Sequence, residues 1–232
     1  MSQRFYATPL ALVLGLSAAG ASAQDGGLSV SLGLKVWNAQ WTTFGYEPLA
    51  PAILTQDDLG EKRVLLPSLG LRYGDFIASV SAFTNTSYRG TDGLLDKRRE
   101  YDAHVGYFVL PGLALTVGYK KIEQIGSAGK YAPAGPVLGL SASALLSGPI
   151  SAYGSFGIGR MKTPSGNPIK FDADYRLSEL GLAYGLRLDG WPKALTFTLG
   201  YRTQMLISKE AKPGIDGRDP TLGFTLGVIA GF

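Results

Sequence analysis

Almost everywhere after Gln24 the apolar residues recur at every second position, and this period is that of a strand rather than a helix. Leu28, Val30, Leu32, Leu34 and Val36 alternate with Ser29, Ser31, Gly33 and Lys35. Tyr101, Ala103, Val105, Tyr107 and Val109 alternate with Glu100, Asp102, His104, Gly106 and Phe108. Successive side chains of a strand point to opposite faces, so each stretch has one apolar face and one face of Gly, Ser, Thr and charges. Leu65 to Tyr73, Phe76 to Ala82, Leu113 to Tyr119, Leu138 to Ala144, Ile150 to Ile158, Leu180 to Leu188, Leu195 to Tyr201 and Leu222 to Phe232 behave alike, with phase slips near Trp37, Phe83 and Glu179. No stretch of helical period accompanies them.

The connections alternate in length. Gly74-Asp75, Pro111-Gly112, Ser147-Gly148-Pro149 and Asp189 to Lys193 are tight turns. Gly45 to Lys62, Arg89 to Lys97, Glu123 to Gly135, Thr163 to Phe171 and Ile207 to Pro220 are longer and polar. This describes a meander of five hairpins whose even strand number lets the sheet close. The expected fold is all-β: a transmembrane up-and-down antiparallel β-barrel of about ten strands, within a range of about eight to twelve.

The two faces decide the solvent. A closed barrel cannot bury its Gly, Ser, Thr and charged face as a dry core without partners, because each unpaired group costs about 2–7 kcal/mol. The apolar face therefore points outward into lipid, and closure satisfies the backbone there. Outward charges agree: Arg99, Lys121 and Arg176 fall only at loop-side strand ends, where a charge costs about 0–1 kcal/mol rather than about 2–4 at mid-depth. Aromatic residues predict two interfacial girdles, Tyr73, Phe76, Tyr107, Trp191 and Phe232 at the turn end, and Trp41, Phe83, Tyr88, Tyr101, Tyr119 and Tyr201 toward the loops.

Residues 1–23 read as a secretory signal peptide. Arg4 supplies the positive start, Leu10 to Leu16 the short apolar core, and Ala21-Ser22-Ala23 the cleavage site. Residues 24–232 form one barrel domain. The chain has no cysteine and one histidine, which leaves no disulfide framework, no thiolate site and little for a metal centre. No metal and no cofactor is expected.

The carboxyl end, Leu222, Phe224, Leu226, Val228, Ala230 and Phe232, resembles the terminal strand of Gram-negative integral outer-membrane β-barrel proteins, with Ala230 smaller than the residue usual there. The resemblance implies residence in the outer membrane, contact with its lipids and lipopolysaccharide, and Phe232 as the signal read by the barrel assembly machinery, with periplasmic chaperones as partners during biogenesis. It identifies no subfamily. A monomer is expected.

Inward positions include Lys35, Arg72, Arg98, Glu100, Asp102, His104, Lys120, Glu179, Arg187, Arg202 and Gln204, with six cations against three carboxylates. Hairpin counting places Lys120 near Asp102 and His104, and Glu179 near Arg202. Two readings follow. One is a narrow passage for small polar or anionic solutes, constricted by Arg98, Lys120 and Arg202. The other is a non-conducting structural or surface-interaction barrel filled by an internal salt-bridge network. Pro67 interrupts a regular strand and removes a ladder donor, marking either a bulge or a split through which an apolar solute leaves sideways, as resemblance to the outer-membrane protein W family would imply.

Catalysis is not expected. Outer-membrane barrel enzymes such as omptin proteases place a histidine beside a serine or acidic partner near a membrane face, whereas His104 falls mid-strand, inward, with no serine motif. The net charge of +4 is dispersed rather than striped, so no nucleic-acid partner is implied. Lys62, Arg63, Arg89, Lys97, Arg98 and Arg99 suit anionic lipopolysaccharide instead.

Overall fold

A computed structural model describes residues 27–47, 53–90, 93–126, 129–167, 171–212 and 215–232. The signal segment over 1–23 lies outside them. Eleven strands follow in chain order: β1 Leu28–Glu47, β2 Ile53–Tyr73, β3 Phe76–Arg89, β4 Leu95–Leu110, β5 Leu113–Gly126, β6 Gly129–Tyr131, β7 Ala134–Ser147, β8 Ile150–Met161, β9 Ala173–Arg187, β10 Ala194–Lys212 and β11 Ile215–Gly231. Ten of them form the wall, each antiparallel to its chain neighbour, and β11 closes on β1 from Ser31↔Gly231 to Phe44↔Arg218. The three-residue β6 pairs only with the upper end of β5. The protein is a closed ten-stranded up-and-down barrel.

The tight turns hold the expected chemistry. Gly74, Gly112 and Gly148 take positive φ of 57°, 81° and 52°, which a side chain would resist. The loop side differs from expectation, because the strands continue through much of the polar sequence. β1 runs to Glu47 and β2 starts at Ile53, so most of Gly45 to Lys62 is strand, and β10 and β11 likewise extend to Lys212 and from Ile215. Ladder pairing uses backbone groups alone, so polar side chains do not end a strand and polarity was no sign that the ladder had ended.

Outside, the apolar band is continuous. Leu180, Phe224 and Leu226 are more than 60% exposed, as only a lipid-facing wall tolerates over so many residues. At the turn end Phe76 stacks edge-on to Tyr107 at 5.1 Å and Trp191 lies 4.5 Å from Phe232. At the opposite margin Tyr201 meets Phe224 at 5.1 Å, with Tyr101 and Tyr119 also exposed. Three of the expected girdle residues are not there: Trp41, Phe83 and Tyr88 are 3%, 3% and 0% exposed and pack inside the barrel. The phase explains it. Trp41 shares the inward face of Lys35 and Trp37, and Phe83 that of Ser79 and Ser81, whereas Tyr88 is turned inward by the ladder shift between Phe83 and Thr86, which simple alternation does not contain.

Register shifts fall between Gln40 and Thr42 in β1–β2 and between Phe83 and Thr86 in β3–β4, close to two of the expected slips. The third is absent. Tyr175, Leu177, Glu179 and Ala183 are all buried on one regular face of β9, and what changes near Glu179 is the polarity of that face rather than its phase.

Candidate functional site

The lumen has three storeys. At the turn end Ile77, Phe108 and Ala114 form a small apolar cluster, under which the Arg72 guanidinium lies 4.4 Å from the Phe108 ring and donates to the Gly74 carbonyl at 2.9 Å. Arg187 is exposed at the same end. At mid-height sit the charges, and toward the loops the inward face turns apolar again.

Two carboxylates organise the middle storey. Glu179 of β9 receives Lys35 Nζ of β1 at 2.6 Å, the Tyr153 hydroxyl of β8 at 3.0 Å, and Arg202 Nη1 of β10 at 3.4 Å. Glu100 of β4 receives Arg98 Nε and Gln204 Nε2, each at 2.7 Å, and Lys120 Nζ of β5 at 2.7 Å. Lys120 also donates to both oxygens of Asp102 at 2.9 Å, and Arg98 Nη1 to Thr221 Oγ1 at 2.7 Å. The sequence pairings therefore hold: Arg202 stands opposite Glu179 and Lys120 opposite Asp102 in the ladders. His104 stands opposite Gly118, and its Nε2 is 3.7 Å from Asp102, too far for a hydrogen bond.

Burial is nearly complete. Arg98 and Lys120 are 0% exposed, Glu100 and Glu179 1%, and Lys35 and Arg202 7%. Such charges are tolerable in a closed space only because each has an opposite charge and hydrogen bonds within reach. A cavity of about 20 Å³ lies among Lys35, Phe83, Glu100, Asp102 and Arg202, room for about one water.

Two clusters close the loop side. Ile122, Tyr131, Val137, Met161, Tyr175 and Leu206 fill the half of the lumen beneath β5 to β10. Trp37, Trp41, Leu66, Phe83 and Tyr88, with Leu59 and Val64, fill the half beneath β1 to β3. Cations bridge the storeys: Arg98 lies 5.1 Å from the Trp41 ring, Arg202 5.0 Å from Trp37 and Lys120 5.1 Å from Tyr175. Sequence reasoning missed these aromatic lids and the roles of Tyr153, Tyr175 and Gln204. The signal for them was parity, except at Tyr88, which the ladder shift between Phe83 and Thr86 brings inward against the phase of the residues before it.

Pro67 faces outward and stands opposite Leu34 in β1. On its other side the wall changes. β2 and β3 pair over six positions, from Tyr73↔Phe76 to Ser68↔Ser81, and above Ser68 no rung joins them among the described residues. β2 nevertheless continues upward paired to β1, and β3 continues paired to β4. A seam thus opens beside Pro67.

Phe232 completes the barrel: its N–H donates to the Val30 carbonyl at 2.9 Å, and its ring lies against Trp191. Among the described residues no group of three or more His, Asp or Glu side chains is placed to hold a metal ion.

No protein-family model matches the sequence. No curated protein matches it significantly. Among solved structures the chain is similar to the outer membrane protease OmpT from Escherichia coli, at 12% identity and a TM-score of 0.54, covering 91% of this chain and 100% of that one. It is also similar to the Pseudomonas putida toluene transporter TodX (11% identity, TM-score 0.34, 93% and 94% covered) and a Pseudomonas aeruginosa FadL homologue (9%, 0.34, 88% and 89%). The last two scores are too low to carry an argument. The OmpT likeness bears on fold alone, and what these comparisons establish is a chain with the closed antiparallel barrel of Gram-negative outer-membrane proteins as its structural neighbours.

Proposed function

We propose that this chain is a signal-cleaved, monomeric integral barrel of the Gram-negative outer membrane whose lumen is closed by its own side chains, so that it works as a structural or surface-interaction barrel rather than as a pore. The observation that carries this reading is the enclosure of Arg98, Lys120 and Arg202, which are at most 7% exposed and bound to Glu100 and Glu179. A constriction that selects anions needs cations facing water, and these three face carboxylates. Arg98 and Lys120 are shut in further by the aromatic and aliphatic clusters toward the loops.

The pair Asp102 and His104 supports packing rather than proton transfer. A separation of 3.7 Å and nearly complete burial of His104 give a general base neither its orienting bond nor access to substrate. Lipids and lipopolysaccharide are the proposed contacts of the apolar band and its exposed loop-side cations, Arg98 excepted because it is fully buried inside the barrel, and the strand ending in Phe232 is the proposed substrate of the assembly machinery.

The test is single-channel recording on the mature chain refolded in detergent, with folding verified by heat-shifted gel mobility. Silence is the expected result. Discrete, anion-preferring current from the folded wild type would overturn the reading and restore the narrow passage.

A further inference from the structure

The middle storey is balanced on one side and not on the other. Glu100 and Asp102 face Arg98 and Lys120, two carboxylates for two cations. Glu179 alone serves both Lys35 and Arg202, at 2.6 and 3.4 Å. One positive charge is left over, counted without His104, where Lys35 and Arg202 are each only 7% exposed. Asp96 and Asp219 stand one inward position nearer the loops than Arg98 and Thr221, and neither lines the space beside Arg202. Three features converge on that space.

First, Arg202 is incompletely used. Its Nη1 reaches Glu179 at 3.4 Å, long against about 2.7–2.9 Å for a charge-assisted bond, and its Nε has no hydrogen-bond partner among the described residues. A guanidinium carries five N–H donors, and a buried one left unmet is destabilising until something accepts from it.

Second, the cavity of about 20 Å³ lies against this guanidinium. Lys35, Arg202, Ser68 and Ser81 bring donors to its wall, and Leu66, Phe83 and Ile229 make much of the rest apolar. Glu100 and Asp102 also line it, but their charge is met from elsewhere. Glu100 accepts from Arg98, Gln204 and Lys120, and both Asp102 oxygens accept from Lys120.

Third, the loop side of the cavity is capped by rings. Phe83, on its wall, meets Trp37 edge to face at 6.1 Å, and Tyr88 meets Trp41 in the same way at 5.1 Å. The Trp37 ring in turn lies 5.0 Å from the Arg202 guanidinium. In such an enclosure an uncompensated charge is far more costly than in water, and a counter-ion is held correspondingly better.

Size and charge together select the ligand. Room for about one water excludes phosphate, sulfate and carboxylate ions, and an excess of one unit calls for a single negative charge. We propose that the lumen binds one monatomic, monovalent anion, chloride in a saline medium, between Arg202 Nε and Lys35, with the Ser68 and Ser81 hydroxyls on the same wall. The anion is a counter-ion built into the closed lumen, completing the neutralisation that Glu179 begins. It rests on the enclosed charges and not on the absence of current, so either can fail without the other.

The mature barrel is folded in detergent in sodium chloride and, at equal ionic strength, in sodium methanesulfonate, whose anion is too large for the cavity. Urea-induced loss of the compact gel form should show an unfolding equilibrium about tenfold less favourable in chloride, saturating as chloride replaces methanesulfonate. Leu66 stands opposite Lys35 in β1–β2 and lines the cavity, so Leu66→Glu supplies the missing carboxylate from within. That variant should be as stable in methanesulfonate as in chloride, while Leu66→Gln, of the same shape and uncharged, should keep the wild-type dependence. Chloride and methanesulfonate acting alike on the wild type would overturn the proposal. A chloride effect shared equally by Leu66→Glu and Leu66→Gln would be a general salt effect and would overturn it too. Wild-type crystals grown in sodium bromide decide the matter whether or not either variant folds: one anomalous peak is expected beside Arg202 Nε, and the lack of a peak there sinks the site.

Discussion

The wall between β9 and β10 and the wall between β2 and β3 are built in opposite ways. β9 and β10 pair without a shift from Ala194↔Arg187 to Ser208↔Ala173, whereas β2 and β3 keep six rungs and then part. Against the first wall the lumen is held by polar contacts, an ion pair of Arg202 with Glu179 and a hydrogen bond from Gln204 to Glu100. Behind the second it is held by edge-to-face aromatic contacts. A barrel can thus be closed rung by rung or by packing, and the two closures should fail differently. Backbone rungs in lipid resist opening because each broken one strands two polar groups. Aromatic packing resists it only by the surface that it keeps covered.

The largest effect is expected on the rung-built side. Glu179→Ala leaves Lys35 and Arg202, both 7% exposed, without their carboxylate, and breaking a buried ion pair from one end costs about 3–5 kcal/mol. Glu100→Ala should cost less, because Lys120 keeps Asp102 at 2.9 Å and Arg98 keeps Thr221. Heat- or urea-induced loss of the compact gel form measures both. Equal losses would show that the two carboxylates do not divide the charges as described.

The next effect belongs to the seam. Phe83→Ala removes a buried ring for which about 3–5 kcal/mol is usual. The free arm of β3 can collapse into the space, so the low end of that range is expected, with faster amide exchange along the unpaired lengths of β2 and β3. Leu206→Ala, fully buried under β9 and β10, should instead leave exchange in its own strands slow. Equally raised exchange on both sides would erase the contrast between the two walls.

How far the sequence foretold this follows the same division. Alternation gave the strands, their inward faces and the tight turns, and hairpin counting gave Arg202 opposite Glu179 and Lys120 opposite Asp102. These are local consequences of period two. The seam was legible only as Pro67, since nothing local says where two neighbouring strands stop pairing. Trp41, Phe83 and Tyr88 were misplaced because an aromatic residue near a membrane margin suits both the girdle outside and a lid inside. The reach from Lys35 across the barrel to Glu179 joins strands that are not neighbours, so no register arithmetic contains it.

A smaller effect tests how tightly the rungs are fitted. Gly118 stands opposite His104 in β4–β5, and a Cβ there would meet both His104 Nδ1 and the Ala103 carbonyl. Gly118→Ala should therefore cost about 1–3 kcal/mol, through a displaced ring on a wall whose backbone cannot yield. Gly60, whose Cβ would meet nothing but whose φ is +81°, carries conformational strain alone and should cost about 1 kcal/mol on the same substitution. A loss at Gly60 matching that at Gly118 would mean that conformation, not rung fit, governs both.

The smallest effect asks whether ion pairs outside contribute to either closure. At the loop-side end of β4–β5, Glu123 is capped by Arg99, by Lys121 at 2.7 Å and by Lys130 at 3.5 Å. Arg99 and Glu123 already stand opposite each other in an intact ladder, so the backbone fixes what the ions would otherwise have to fix. Arg99 and Lys121 are also 45% exposed, where screening leaves such pairs about 0–1 kcal/mol. Lys121→Ala should change stability by less than about 0.5 kcal/mol, and Arg99 and Lys130 remain to cap the carboxylate. A loss of several kcal/mol that disappears at high salt would mean that the rim charges, rather than the rungs beneath them, hold the sealed wall together, and the distinction between a wall closed by backbone and one closed by side chains would fail.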